Sequence, residues 1–536
     1  MKFQFISTSW LLVILWIILT CFNINKAFHI DDAFHLEAAQ WIGAHPTKPM
    51  SGFINWSNNP SSGSNANQPP LYFYLIAFVG ELFGYSEIPL HIFQSIFTFL
   101  VLWLFLKICT LQNITNTRTS LLFMAFCPAL MVNQNLMIDV PLLSLELAFV
   151  FFLLKSDGPR ALRYYTLAAL VLGCALLIKY SILPLLVVFL LVILAEKKYK
   201  YLTLGLIPVG ILGLWSIFNL FEFQKVHIFN RPVSHFSIAA LINQTIGLLS
   251  CIGAIIPFSI ALYNARLPYR IVEKLSYLSL FAFLFFCGLV YFDIIPERIS
   301  SLILNILFVI NGMGIALVMG SEIWPRFRKE GKWRIPEKAD LIFILTFASM
   351  AAFTVKYAPF IATRHILLLI PFIILICRDL IDRIPHRIQV LSIGLSVTMG
   401  VLLTLSDWYY ADFYRQVSKK INVPPDGRIW VSGHWGWQWY SKNIAGGHVS
   451  QYGTDSSKVH PGDYFIRPAV ADQQSVNENL VLKEIQRIYM KPGFSTFLSG
   501  HKAGSMYLSF PKKGPWNLSK TPVDTIIISR VVGITK

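Results

Sequence analysis

The feature that most constrains this chain is a succession of apolar runs joined by short basic loops. Thirteen runs read as helices, at roughly 8–25, 88–106, 120–133, 137–154, 164–178, 181–195, 201–220, 237–263, 275–292, 300–320, 340–355, 360–377 and 388–406. Only 14% of the 536 residues are charged and 55% are hydrophobic, with a mean hydropathy of +0.57. A soluble domain carries about 25% charge, so lipid is the solvent for most of this length. The first run, long for a signal peptide and followed by no small-x-small cleavage site, reads as a retained span.

Crossing the hydrocarbon takes about 20 residues, and the third to sixth runs are short enough that each neighbouring pair could form one long helix. Charge argues for hairpins instead. With the N-terminus inside and the runs alternating, the inside loops hold 20 Lys and Arg and the outside loops 8. Merging 120–154 or 164–195 would split basic loops between the two sides, against the positive-inside bias. The fold class expected is therefore a polytopic α-helical membrane protein of about 13 spans. It divides into a membrane domain, 1–406, with an outer loop at 29–86, and a small extracytoplasmic α/β domain, 407–536. In the loop, Ser57 to Gln68 reads as a flexible polar stretch. In the C-terminal domain, Ile429–Ser432, Tyr464–Ile466 and Thr525–Ile528 read as strands. Asn477–Met490, with apolar Leu480, Val481, Leu482, Ile485, Ile488 and Tyr489, reads as a helix. The formal charge of +17 is spread over the loops between spans, so it does not make a nucleic-acid surface. The seven cysteines lie in or beside apolar runs and form no zinc-ligand spacing.

Three groups of residues carry chemistry. The first is Ile30-Asp31-Asp32-Ala33-Phe34-His35, two carboxylates where the first span leaves the membrane, just before a helix-forming run. An Asp there also serves as a helix N-cap, and capping and catalysis use the same exposed carboxylate. The second is Asn67-Gln68-Pro69-Pro70-Leu71-Tyr72, where prolines end the polar stretch and open an interfacial aromatic helix, with Gln68 as the ligand contact. The third is a set of charges at outer span ends: Asp139, Lys179 and Arg364. Such charges either snorkel to the interface or face a cavity and a partner.

In this order the motifs resemble the glycosyltransferase-C superfamily, in particular the protein O-mannosyltransferases and the lipid A aminoarabinose transferases. Asp31-Asp32 resembles their acidic pair in the first outer loop, and Gln68-Pro69-Pro70-Leu71-Tyr72 their x-Pro-Pro-Leu-Tyr motif. Leu136-Met137-Ile138-Asp139 resembles the acidic start of the fourth span, and Ile178-Lys179-Tyr180 the Thr-Lys-Gly turn. Arg364-His365-Ile366-Leu367 with Pro371 resembles the late Arg-Tyr motif. Gly433-His434-Trp435-Gly436-Trp437-Gln438-Trp439-Tyr440 and Pro461-Gly462-Asp463-Tyr464 resemble parts of the outer domain of bacterial members. His35 stands where the family usually has Tyr. Gln68 stands where it often has His or Lys, which weakens a phosphate role for Gln68.

The resemblance implies a transferase that moves a sugar, with inversion, from a polyprenyl-phosphate donor to a hydroxyl on protein, lipid or glycan, at the non-cytoplasmic face of the plasma (inner) membrane. Asp31 or Asp32 is then the general base. Arg364, Lys179 and Gln68 hold the donor phosphate, with His35 and Asp139 supporting. No cofactor is required, and a divalent metal between the two aspartates is allowed. The competing class is a lipid or sugar transporter, which predicts charges near the midplane and internal repeats. A non-catalytic assembly or receptor protein is a third class, and it leaves Asp31 without a partner.

Overall fold

The computed structural model describes residues 7–66, 68–230, 237–264, 268–445, 449–453, 458–471, 474–491, 493, 506–507 and 514–535, with the side chains of 269, 275 and 276 set aside. Asn67 of the proline motif, and Arg231 and Arg266 of the charge count, lie outside the described residues.

All thirteen apolar runs are helical. Seven of the helices, among the described residues, are long and apolar enough to cross a membrane by length and composition: Glu87–Leu111, Tyr199–Phe223, Ile238–Ile255, Arg270–Tyr291, Glu297–Phe327, Lys338–Tyr357 and His386–Lys420. The other six runs are carried by shorter pieces. These are α1 (Thr8–Asn23), α5 (Thr117–Ala125) with α6 (Pro128–Val132), α7 (Asp139–Leu154), α8 (Ala161–Leu176), α9 (Pro184–Ala195), and α16 (Thr363–Ile366) with α17 (Ile370–Ile376). Between α1 and α5 lie α2 (Asp32–Ala44), α3 (Leu71–Phe83) and α4 (Glu87–Leu111). The runs at 120–133 and 137–154 are separate helices. α6 packs on α19 (His386–Lys420), α7 packs on α4 and α8, and the polar turn Asn133-Gln134-Asn135 separates them.

α10 is Leu206–Phe223, α11 Ile238–Ile255, α12 Ser259–Asn264, α13 Tyr269–Tyr291, α14 Glu297–Phe327, α15 Lys338–Tyr357 and α18 Arg378–Ile381. Ion pairs between elements fall into two layers at opposite ends of these helices. One layer holds Arg364–Asp31, Lys179–Asp139, Arg415–Glu87, Lys442–Glu37 and Lys520–Asp293. The other holds Lys198–Asp157, Lys338–Asp157, Arg326–Asp340, Arg378–Asp340 and Arg387–Glu273. Among the described residues no ion pair joins one layer to the other.

The first layer faces the C-terminal sheet. Strand β5 (Ile429–Val431) lies between β6 (Val449–Gln451) and β7 (Tyr464–Pro468), all parallel. β9 (Thr525–Ile534) and the edge strand β8 (Leu480–Tyr489) continue the sheet antiparallel. All three strand-like runs read from the sequence are strands. The run at Asn477–Met490 is not a helix: it is β8, paired along its length to β9. Register shifts at Val481/Leu482 and Glu484/Gln486 break the alternation expected of a strand, and the displaced apolar residues fall at spacings of three and four, which imitates a helix.

In the polar stretch, the described residues 57–66 are likewise held by partners. β1 (Phe53–Ile54) and β2 (Ser61–Ser62) form a hairpin. Gly63 and Ser64 donate backbone N–H groups to Gly52 and Met50 at 2.7 and 2.9 Å. Gln474 of the sheet domain donates to the Asn55 side chain at 2.9 Å and to the Asn58 carbonyl at 3.2 Å.

Candidate active site

The turn leaving α1 is anchored before it presents any carboxylate. Lys26, buried, forms an ion pair with Asp407 of α19 and donates to the Val132 carbonyl at 3.0 Å. Tyr507 donates to Asp407 at 2.9 Å, and the Tyr440 hydroxyl accepts the Phe28 N–H of the same turn at 2.8 Å. These partners are 100 to 412 residues apart, and no local pattern in the sequence signals them. Ile30 then takes φ +53°, a left-handed conformation that a β-branched residue adopts only under constraint.

The strained turn sends the two aspartates in different directions. Asp32 begins α2, is fully buried, and accepts the His29 N–H at 2.8 Å. Burial pushes its carboxyl well above the ordinary carboxylate range. Asp31 is the N-cap residue, yet its side chain makes no capping bond. The Asp31 side chain keeps 19% exposure and takes a hydrogen bond from Arg364 Nη1 at 2.5 Å. Of the two, only Asp31 offers an accessible carboxylate.

His35 lies one turn further along α2 and is buried. Because a carbonyl only accepts, its Nδ1 carries the proton and donates to Leu136 at 2.7 Å. Burial lowers the ring's affinity for a second proton. Together with Gln94, which donates to the Met137 carbonyl at 3.1 Å, it fixes the turn that opens α7. That turn presents Asp139, whose side chain is 2% exposed and accepts from Lys179 Nζ at 2.8 Å. Arg364 sits on α16 above the Phe360 ring at 5.8 Å. Its Nη1 touches Asp31 and the Met137 sulfur, while its buried Nε has no protein partner among the described residues.

These groups meet in one pocket lined by Asp31, His35, Gln68, Met137, Ile138, Asp139, Lys179 and Arg364. Six of the seven residues singled out from the sequence are there. Asp32 is the exception, behind the wall with its backbone contact to His29. Lys179 and Arg364 do not snorkel; each is held by a carboxylate. Met137 and Ile138 were read only as flanks of Asp139, and their part in the wall follows from the turn that His35 and Gln94 hold. Among the described residues, no group of three or more His, Cys, Asp or Glu side chains is arranged to hold a metal ion.

Residues 67–220 match the model of the dolichyl-phosphate-mannose-protein mannosyltransferase family. No curated protein matches the chain in sequence. Among solved structures, the chain is similar to ArnT from Cupriavidus metallidurans bound to undecaprenyl phosphate, with 15% identity, coverage of 87% of this chain and 94% of that one, and a TM-score of 0.42. The archaeal oligosaccharyltransferase AglB from Archaeoglobus fulgidus, in complex with an inhibitory peptide and a dolichol-phosphate, gives 10% identity, 86% and 69% coverage and a TM-score of 0.44. The S. cerevisiae protein O-mannosyltransferase Pmt1-Pmt2 complex bound to the sugar donor gives 16% identity, 42% and 35% coverage and 0.32. The matched segment is the one that brings Gln68, Asp139 and Lys179 to the pocket, and through it this chain resembles the dolichyl-phosphate-mannose-protein mannosyltransferase family.

Proposed function

We propose that this chain is a membrane glycosyltransferase that moves a sugar from a polyprenyl-phosphate donor to a hydroxyl acceptor on the non-cytoplasmic face, with inversion. The observation that carries the reading is the pocket itself: one accessible carboxylate, Asp31, shares it with two cations, Arg364 and Lys179. A transporter would want its charges near the midplane and a repeated architecture; here they gather at the helix ends nearest the sheet domain.

In the proposed reaction the acceptor oxygen attacks the anomeric carbon as its proton passes to Asp31. The bond from that carbon to the phosphate oxygen breaks, and polyprenyl phosphate leaves with the electron pair. Arg364 and Lys179 stabilise the charge on the leaving group, a role suited to cations fixed in place by carboxylates. The Arg364 guanidinium spends one nitrogen on Asp31, so its remaining N–H groups suit a phosphate oxygen. A phosphate there competes with Asp31 for Arg364 and frees the carboxylate to act as base. Asp139 holds Lys179 in place, and Asp32 supports the turn.

The inside-to-outside alternation is supported by the two unmixed layers of ion pairs. It sets the pocket and sheet domain on the side opposite the basic loops, which on the positive-inside rule is the non-cytoplasmic side. The reading is tested by incubating purified protein with a panel of polyprenyl-phosphate sugars and membrane extract as acceptor source. Release of polyprenyl phosphate with one donor, abolished in Asp31→Asn, supports it; no release with any donor sinks it.

A further inference from the structure

The donor pocket has two walls from distant parts of the chain: the loop carrying Gln68 and the turn carrying Lys179. We propose that His227, outside the pocket and unassigned by the mechanism above, is a positioning residue that sets the gap between these walls. The proposal rests on the reading that the pocket receives a lipid-linked phosphate.

The tie is continuous and short. The carbonyl of Ala66, two residues before Gln68, lies 3.0 Å from His227 Nε2. The other ring nitrogen, Nδ1, lies 2.8 Å from the hydroxyl of Tyr180, which adjoins Lys179. Because the carbonyl can only accept, Nε2 carries the proton; in the neutral ring Nδ1 then accepts from the Tyr180 hydroxyl. Trp215 of α10 donates its indole N–H to that hydroxyl at 2.9 Å, so the hydrogen bonds run in one direction from Trp215 through Tyr180 and His227 to Ala66. His227 is fully buried, with the rings of Tyr180, Trp215 and Phe223 centred 5.5 to 6.4 Å from its own.

A second tie closes the other end of the same loop. The Leu71 N–H donates to the Leu177 carbonyl at 3.2 Å. The two ties bracket Gln68-Pro69-Pro70, and proline fixes φ at both of its positions, so Gln68 is joined stiffly to the Leu71 anchor while the Ala66 anchor lies two residues to its other side. A buried side chain that accepts on one edge and donates on the other is what a hydroxyl and a carbonyl on opposite walls require. Leucine fills the space and offers neither function. Glutamine has both a donor and an acceptor.

The test uses full-length protein in detergent or nanodiscs, with a long-chain polyprenyl phosphate as the probe and binding and thermal midpoint read on the same samples. His227→Leu and Tyr180→Phe are expected to weaken binding roughly three- to tenfold, the scale of one or two neutral hydrogen bonds, with the thermal midpoint close to that of the wild type. His227→Gln is expected to recover most of the loss. Lys179→Met should cost less in the His227→Leu background than alone, because the cation is already misplaced there. Wild-type affinity in both His227→Leu and Tyr180→Phe overturns the proposal, as does strict additivity with Lys179→Met. If His227→Leu does not fold, Tyr180→Phe and His227→Gln decide by the same criteria. Failure of the wild type to bind any polyprenyl phosphate overturns the reading of the pocket itself, and this inference with it.

Discussion

Neighbouring aspartates with the same chemistry end in opposite circumstances, and each yields its own expectation. Asp31→Asn keeps the shape and removes the proton acceptor. Turnover should fall by roughly 10²- to 10⁴-fold, with donor binding retained, since Arg364 loses its competitor; single-turnover and binding assays on one preparation separate the two. Arg364→Ala should instead weaken donor binding by about 1.5–3 kcal/mol, the worth of a hydrogen bond to a charged group, and unchanged affinity would reduce Arg364 to a scaffold for Asp31. Asp32→Asn concerns stability. Burial raises the folded-state pKa of Asp32, so the folded protein holds that proton more tightly than the unfolded chain, and the ionised carboxylate costs stability as pH rises above the unfolded value near 4. The Asn variant should therefore melt higher than wild type at neutral pH, and the advantage should vanish as pH falls below that value; thermal melts across pH check both halves. The adjacency of the two aspartates was legible in the sequence. Their division of labour was not, because it depends on the φ of Ile30 and on the burial of α2, which are tertiary facts.

At the scale of elements, apolar runs reported helices well because lipid leaves the backbone no alternative to internal hydrogen bonds. They reported crossings less well. α5 and α6 break at Cys127-Pro128, and α16 and α17 are a few residues each, so among the described residues length and composition qualify seven helices. Reporter fusions after Lys200 and after Trp408 should lie on opposite faces of the membrane, as alternation requires; both on one face would break the hairpin assignments. Two elements were misread for opposite reasons. β8 carries bulges that scramble its period. The polar stretch at 57–68 has no period at all, and its described residues 57–66 are held by Gln474 and by Met50 and Gly52, partners that composition does not reveal.

At the scale of the whole molecule, the sheet domain is fastened to the helices through Asp524. Its carboxylate accepts the N–H groups of Val470 and Ala471 at 2.9 Å each and the Tyr414 hydroxyl of α19 at 2.9 Å. Asp524→Ala leaves buried donors without an acceptor, each costing about 1–3 kcal/mol. Limited proteolysis should then cut within 421–536 markedly faster than in wild type, while the helical core stays intact. α19 itself runs unbroken through 35 residues, from His386 to Lys420. At 1.5 Å per residue that is roughly 52 Å, against a hydrocarbon thickness of about 30 Å. The surplus is several helical turns, which makes the end of α19 the stem on which the sheet domain stands clear of the hydrocarbon, joined to it without a break in the helix.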